Sequence, residues 1–564
     1  MQSGGRYQSG SELPSTPEAV PAGDQLRQSG DTEGASAPRA VRRWWAAAAW
    51  AAAGLALYAF FLQISFGGRI DSDGANSALQ AWDLIHGHLV MHGWLIGDAT
   101  FYAFELPING VIQLIFGLGS LATHLASALT FLIVAGCAVA LAVADSRGPA
   151  RAVRCAVALT VLAVPLLTML TVWLLVEEPD HTGTSAFILI SCLLIDRAPS
   201  RRFTAPLLCV ILCAGQLSDL TVRYVAVPAV IVVCGYRVLA TRKLRSGDAA
   251  LVLAAAVSVP LESLLGSLMA HLGGFLMVPP RAQLAPPRLW LLHLPVVWLD
   301  IRELFGAVLR PDTTLGGLGA ALGIICLMAA ILGLGRVAWT WRRASRAEQL
   351  LAASIVFNVG VYAVSVMPQP SGYREIVALL PCGAALAARA LVPARITGEL
   401  RAFGAVTATA LVALLPLSVA ATRPATGPAM GPAPGNGATT PTAPLTAWLE
   451  AHGLSYGVAG YWDASVISLQ SGDKVRIRAI DLHRTTSAAG WKVNEPYWET
   501  NALWYDPFRY DARFVIADTR GIFSRTALKR FFGKPSATYR VANWYVLVYR
   551  TNLLRKILPP LKAQ

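Results

Sequence analysis

The sequence predicts a polytopic α-helical membrane protein with a C-terminal α/β domain, and three observations lead there. Hydrophobic residues make up 55% of the 564 and charged residues only 14%, with a mean hydropathy of +0.50, well above a soluble globular composition. Apolar runs long enough to cross a bilayer recur from Trp44 to Ala421. Arginines gather in every second connection between those runs, the pattern that orients membrane helices. The net charge of +14 therefore reflects orientation in a cell membrane, and no nucleic-acid partner is expected.

Residues 1–43 are rich in Ser, Gly, Pro and Gln, a composition that predicts a disordered cytoplasmic tail. Arg42 and Arg43 abut an apolar run too long for a cleavable signal, so the first span is expected to be an uncleaved anchor. The membrane domain covers 44–421, with spans near 44–65, 121–144, 155–176, 183–196, 204–219, 224–240, 249–270, 316–338, 349–366, 376–393 and 402–421. One set of connections holds Arg147, Arg151 and Arg154, then Arg197, Arg201 and Arg202, then Arg237, Arg242, Lys243 and Arg245. The same set continues with Arg336, Arg342, Arg343 and Arg346, and ends with Arg389, Arg395 and Arg401. These are expected to be cytoplasmic, and about eleven spans then place the N-terminus inside and the C-terminus outside.

Two connections on the outer side are long. The first runs from Gly67 to Ser120 and includes an apolar piece at 106–118, which reads as an interfacial helix. The other, 271–315, is Pro-rich and mixes Trp290 and Trp298 with Arg281, Arg288, Arg302 and Arg310, as a helix lying on the membrane surface would. Residues 422–444 are a Pro/Gly-rich linker, and 445–564 alternate helical and strand patterns. Helices are expected at 445–454 and 524–533, strands at 456–462, 475–481 and 512–518, and a hairpin at 539–550. None of the eight cysteines follows Cys382 and no CxxC pair occurs, so neither disulfides nor a thiolate metal site is expected.

Five acids stand in the first outer connection: Asp71, Asp73, Asp83, Asp98 and Glu105. Carboxylates beside a bilayer are costly unless solvated, paired or functional. Asp71 and Asp73 would share one side of an extended segment, where each raises the other's pKa. A carboxylate there can act as general base on a hydroxyl or hold a divalent cation, although nothing in the sequence demands a cofactor. Asp98, Tyr102 and Glu105 fit either a ligand cleft or a polar cap on the next helix. His86, His88 and His92 are read as surface residues rather than a metal cluster. The second outer loop concentrates Glu177, Glu178, Asp180 and His181. Arg223 and Arg374 are single cations at otherwise uncharged ends, suited to a phosphate or to pairing with Asp219 and Glu375 respectively. Gly319 and Gly323 form a helix-packing pattern, and no nucleotide-binding motif occurs.

The stretch Asp73-Gly-Ala-Asn-Ser-Ala-Leu-Gln-Ala-Trp-Asp-Leu-Ile-His-Gly87 resembles the first-loop signature of the GT-C membrane glycosyltransferases, of the protein mannosyltransferase or aminoarabinose transferase type. Ser218-Asp219-Leu-Thr-Val-Arg223 resembles the polar start of that family's middle span, and Gly372-Tyr373-Arg374-Glu375 its late aromatic–Arg motif. Family members often carry a second acid directly after the first; Gly74 stands there, so a partner role would fall to Asp71 or be absent. The resemblance covers the membrane half and implies a GT-C-like fold and a lipid-linked sugar donor. It also implies that Glu178 or Asp180 faces the first-loop acid, and that Tyr373 and Arg374 meet the donor.

Together these features predict transfer of a sugar from a polyprenyl phosphate to a glycan, lipid or protein acceptor on the outer face. Asp73 is the expected base, Arg374 the stabiliser of the departing phosphate, and Glu178 or Asp180 the group that orients the acceptor or a metal ion. A transporter would need ionisable residues at span centres, where Glu262 is the main exception. An inactive scaffold with an outer binding domain is the other alternative. A cysteine introduced at position 490 should react with an impermeant thiol reagent in intact cells; protection there would reverse the orientation.

Overall fold

The computed structural model describes residues 39–68, 70–97, 99–167, 175–176, 181–197, 202–243, 246–277, 283–308, 316–369, 372–396, 442–484, 491–496, 498–518 and 523–559. Asp98, Glu177, Glu178, Asp180 and the span expected at 402–421 lie outside them, as do the tail 1–38 and most of the linker. The chain divides into the units Met1–Leu55 and Ala56–Gln564, and every helix and strand after the first belongs to the second unit.

The membrane half contains α1 (Arg39–Ser65), α2 (Ser72–Ile85), β1 (Trp94–Ile96), α3 (Glu105–Phe116), α4 (Ser120–Val143), α5 (Pro149–Ala163) and α6 (Thr182–Arg197). It continues with α7 (Thr204–Ser218), α8 (Thr221–Thr241), α9 (Gly247–His271), β2 (Leu276–Met277), α10 (Pro287–Leu304), α11 (Gly316–Trp339), α12 (Arg346–Val364) and α13 (Leu379–Leu391). Among the described residues, six helices are long and apolar enough to cross a membrane: α4, α5 with its extension to Leu166, α8, α9, α11 and α12. Shorter apolar helices are the end of α1, α3, α7 and α13. Local signals account for several boundaries. Ser345 and Glu348 form a reciprocal capping box at α12, Ser246 caps α9, and proline occupies the first turn of α5 and α10. Leucines and isoleucines such as Leu253, Leu264, Ile325 and Leu332 stay exposed on α9 and α11, the outward apolar surface that lipid would cover.

The two ends of this bundle differ in charge. At one end Arg154 and Arg389, each 3% exposed, hold the ends of α4 and α13 together. Arg154 donates from Nε to Val392 O at 2.9 Å and from Nη1 to Asp145 at 2.5 Å. Arg389 donates from Nη1 to Leu141 O at 2.7 Å and from Nη2 to Ser345 Oγ at 3.1 Å, with Asp196 at 3.9 Å. Arg346 pairs with Asp248 at 2.9 Å nearby. Helix-end carbonyls need donors, and these two guanidinium groups supply them.

The other end gathers the acidic segments. A three-stranded sheet, ordered β2–β1–β6, joins the 67–120 connection, the 271–315 connection and β6 (Thr500–Asn501) of the C-terminal region. Leu95 lies opposite Leu276 in parallel register and opposite Thr500 in antiparallel register. Three segments remote in sequence are therefore held by backbone bonds on one side of the bundle.

The C-terminal part is an α/β layer structure. It comprises α14 (Ala443–Ala451), β3 (Tyr456–Gly460), α15 (Tyr461–Gln470), β4 (Arg476–Arg484), β5 (Trp491–Asn494), β7 (Phe514–Asp518), α16 (Arg525–Phe532), β8 (Ala537–Val541) and β9 (Trp544–Val548). The six strands run β5–β4–β3–β7–β9–β8, with β3 parallel to β4 and β7 and the other pairs antiparallel. The strand expected at 456–462 stops two residues early. Gly460 is the N-cap of α15, where a Cβ would lie 2.7 Å from the Phe523 ring, and Tyr461 opens that helix, which the residue pattern did not predict. Apolar side chains such as Val458, Val515 and Leu547 fill one side of the sheet, and Ile477, Phe514 and Ile516 the other.

Replacing Arg389 by Ala should remove the guanidinium that bonds the Leu141 carbonyl and the Ser345 hydroxyl and faces Asp196, costing roughly 3 kcal/mol. Thermal unfolding in detergent measures this, and an unchanged melting temperature would contradict the helix-end role.

Candidate functional site

The site is built where the first outer connection meets the junction of α7 and α8. Thr100 and Phe101 donate their N–H groups to Ser218 O at 2.7 and 3.0 Å, Ala103 N donates to Ser218 Oγ at 2.7 Å, and Ala99 forms an antiparallel bridge to Asp219. α7 ends at Ser218 and α8 begins at Thr221, so Asp219 sits in the break between two apolar helices. It is 3% exposed. One of its oxygens accepts from the Thr221 N–H at 2.7 Å; the other is bonded by His181 Nδ1 at 2.6 Å and by the Thr184 hydroxyl. Burial pushes the Asp219 carboxyl upward, but His181 and these donors outweigh it and hold the acid below its ordinary range.

Glu105, the first residue of α3, lies beside this group. Its Oε1 accepts from the Gly183 N–H at 2.8 Å, and a Cβ at position 183 would occupy the place of the carboxylate. Burial pushes Glu105 up to about 8, aided by the Asp219 charge and opposed by the Gly183 bond and His181. One buried acid is thus held ionised and its neighbour protonated at neutral pH, the separation that acid–base sites exploit. His181 Nε2 also faces Glu375 at 3.9 Å, and Asn358 Nδ2 donates to Glu375 O at 3.1 Å. A cleft lined by Asp219, Tyr224, Asn358, Tyr362, Met367 and Glu375 opens beside these groups.

The second acidic group lies against the α/β domain. Asp71 is the N-cap of α2, accepting from the N–H of Asp73 at 2.8 Å, and the helix starts at Ser72. The expectation of an extended Asp71–Asp73 pair is corrected: an N-cap carboxylate satisfies free amide groups of the first turn, which starts the helix there. Asp73 accepts a hydrogen bond from the Tyr461 hydroxyl. Around it Ser72 Oγ donates to Tyr461 O at 2.5 Å, Asn76 Nδ2 to Tyr461 Oη at 3.3 Å, and Ser465 Oγ to Asn76 Oδ1 at 2.7 Å. Gln80 donates to Glu499 at 2.7 Å, and Trp498 stacks on Tyr461 at 5.0 Å.

The two groups flank the same short stretch of chain. A Cβ at Gly97 would lie 3.9 Å from Glu499 Oε1, and Ala99, two residues on and hence within about 7 Å, bridges Asp219. Phe101, His181 and Glu499 all have positive φ (+54°, +56° and +49°), a region that few non-glycine residues occupy.

Among the residues singled out in the sequence, Glu105 and His181 come together with Asp219 and Glu375. Arg374 lies 4.0 Å from Glu375 and is partly exposed, whereas Tyr373 is 1% exposed in the main core. Arg223 does not pair with Asp219; it forms an ion pair with Glu262 and donates to Gln216 at 3.2 Å. His86 and His92 each meet a backbone carbonyl, Trp82 O and Gly273 O, and among the described residues no group of three or more His, Cys, Asp or Glu is arranged to hold a metal ion. Sequence reasoning named Asp219 and Glu375 only as ion-pair partners and as members of the stretches that carry the resemblance, and gave neither a role in the site. A signal for Asp219 existed: an acid at the break between two apolar runs. Tyr461 and Glu499 carried none.

No protein-family model matches this sequence, and no curated protein does. Among solved structures, ArnT from Cupriavidus metallidurans bound to undecaprenyl phosphate is similar at 14% identity and TM-score 0.48, over 88% of this chain and 98% of that one. The same protein in the apo state gives 13%, 0.46, 91% and 100%. An oligosaccharyltransferase from Archaeoglobus fulgidus in the apo form gives 12% and 0.38, over 87% of this chain and 74% of that one.

Because Glu105 is protonated when folded and ionised when unfolded between its ordinary 4.5 and about 8, stability should fall as pH rises through that window. Glu105→Gln should remove this slope. Melting temperatures in detergent at pH 5 and pH 8 provide the comparison, and equal slopes in both proteins would refute the buried neutral acid.

Proposed function

We propose that the protein transfers a sugar from a polyprenyl-phosphate carrier to a hydroxyl-bearing acceptor on the outer face of the cell membrane. The observation that supports this most directly is the gathering of buried acids, His181 and the α/β domain at one end of an apolar helix bundle, around the first outer connection. Acids in that position cost free energy that a merely structural loop would avoid. Asp73 serves as the base that takes the acceptor's proton, and the phosphate leaves from the sugar with its charge met by Arg374. Glu178 or Asp180 orients the acceptor or a metal ion, and Asp98, in the 67–120 connection with Asp73, belongs to the same cleft. The cleft beside Asp219 and Glu375 accommodates the donor's polar end, with the lipid tail between helices near the 271–315 connection. The arginine-rich end faces the cytoplasm, and the domain 445–564 caps the cleft from outside.

The test follows consumption of undecaprenyl-phosphate sugars in membranes containing each variant. Asp73→Asn should slow transfer by roughly 10²-fold or more. Arg374→Ala should weaken donor binding as well as turnover. Asp71→Asn keeps a side chain that caps a helix equally well, so it should be the milder change. Wild-type turnover by both aspartate variants would dismiss the base assignment, and no consumption of the donor by the wild-type protein would dismiss the glycosyltransferase reading.

A further inference from the structure

Four contacts tie the first turns of α2 to α15 of the α/β domain, and one of them ends on the proposed base. Tyr461 is 8% exposed; its ring lies against Trp498 at 5.0 Å and 19°, its carbonyl is held by Ser72 Oγ, and its hydroxyl is shared between Asp73 and Asn76. Asn76 is in turn fixed by Ser465, one turn further along α15. A phenol with so few rotamers, stacked on one side and anchored through its backbone, has little freedom left except the direction of its O–H. That O–H donates to Asp73.

We propose that Tyr461 is a positioning residue for Asp73, and that seating of the α/β domain on α2 is what aims the base. The inference rests on the reading of Asp73 as the base. It gives the C-terminal domain a role in the reaction itself: the domain sets the orientation and proton affinity of a carboxylate 388 residues away. A donor to a carboxylate stabilises its ionised form, so Tyr461 keeps Asp73 charged and ready to accept a proton. The titratable groups near this carboxylate include Asp71 at the start of its own helix, Tyr461 on α15 and Glu499 ahead of β6. Burial, and then the charges of Asp73 and Glu499, push the Tyr461 hydroxyl far above its ordinary range, so it remains a donor throughout the working pH range. Glu499 is bonded by Gln80, so the same docked face fixes the second carboxylate near the phenol.

The experiment titrates Asp73 in the full-length protein by difference infrared spectroscopy of its carboxyl band, with Asp73→Asn as the blank, and measures turnover of undecaprenyl-phosphate sugars in parallel. Tyr461→Phe keeps the ring on Trp498 and removes the donor. It should raise the Asp73 midpoint by roughly one pH unit and move the acidic limb of the turnover profile the same way, with the donor's KM little changed. Replacing Tyr461 by 3-fluorotyrosine strengthens the donor and should shift the midpoint in the opposite sense; it supplies the answer if Tyr461→Phe does not accumulate in the membrane. An Asp73 midpoint that is the same in every Tyr461 variant overturns the positioning role, whatever the turnover. Wild-type turnover by Asp73→Asn, with the midpoint still responding to Tyr461, overturns the base reading and with it the catalytic consequence.

Discussion

A carboxylate buried at the end of an apolar bundle must be given donors or must keep its proton, and that demand shapes the first outer connection. Asp219 takes the first route. It sits in the gap between α7 and α8, where it accepts from the Thr221 N–H, Thr184 and His181. Glu105 takes the second, with a single backbone donor from Gly183 and a pKa raised by burial. Both solutions require the 99–105 segment to lie flat on the Ser218–Asp219 turn, which its backbone bonds enforce. The positive φ values of Phe101 and His181 are the local cost of that arrangement.

The sheet β2–β1–β6 extends the same constraint outward. Its strands are only two or three residues long, so none would persist alone. Their pairing nonetheless couples the first connection, the second connection and the α/β domain, and the bonds from α15 to α2 add side-chain contacts on an adjoining face. The charged residues of the first connection are consequently positioned by three separate parts of the chain. At the opposite end, Arg154 and Arg389 bind helix-terminal carbonyls and acids, which ties α4, α5 and α13 together.

Much of this was legible beforehand. Helices follow the apolar runs closely, as in Ser120–Val143, Thr182–Arg197 and Gly247–His271, because length and hydropathy report burial in lipid or core directly. The helix within 106–118 was legible for the same reason, and so were the β3, β4, β7, β8 and β9 strands of the C-terminal domain. The start of α2 was misread. Asp71 and Asp73 look like a pair on paper, but a cap is decided by which backbone amides lack partners, and that depends on where the helix begins. Arg154 and Arg389 look like loop cations, yet their burial depends on helix ends meeting in space.

Composition, apolar run length and the alternation of arginines were enough by themselves to establish a multi-span membrane protein with an appended α/β domain, since each reflects a transfer free energy local to its own segment. The concentration of acids after the first span likewise marked the region of interest. Which of those acids stand together was decided only by the tertiary structure. Glu105 finds Gly183, His181 finds Asp219, and Asp73 finds Tyr461 across separations of 78, 38 and 388 residues, and no local pattern encodes such contacts. A hydrogen bond depends on distance and direction in space, and for groups this far apart in sequence those are set by the packing of every helix and strand between them.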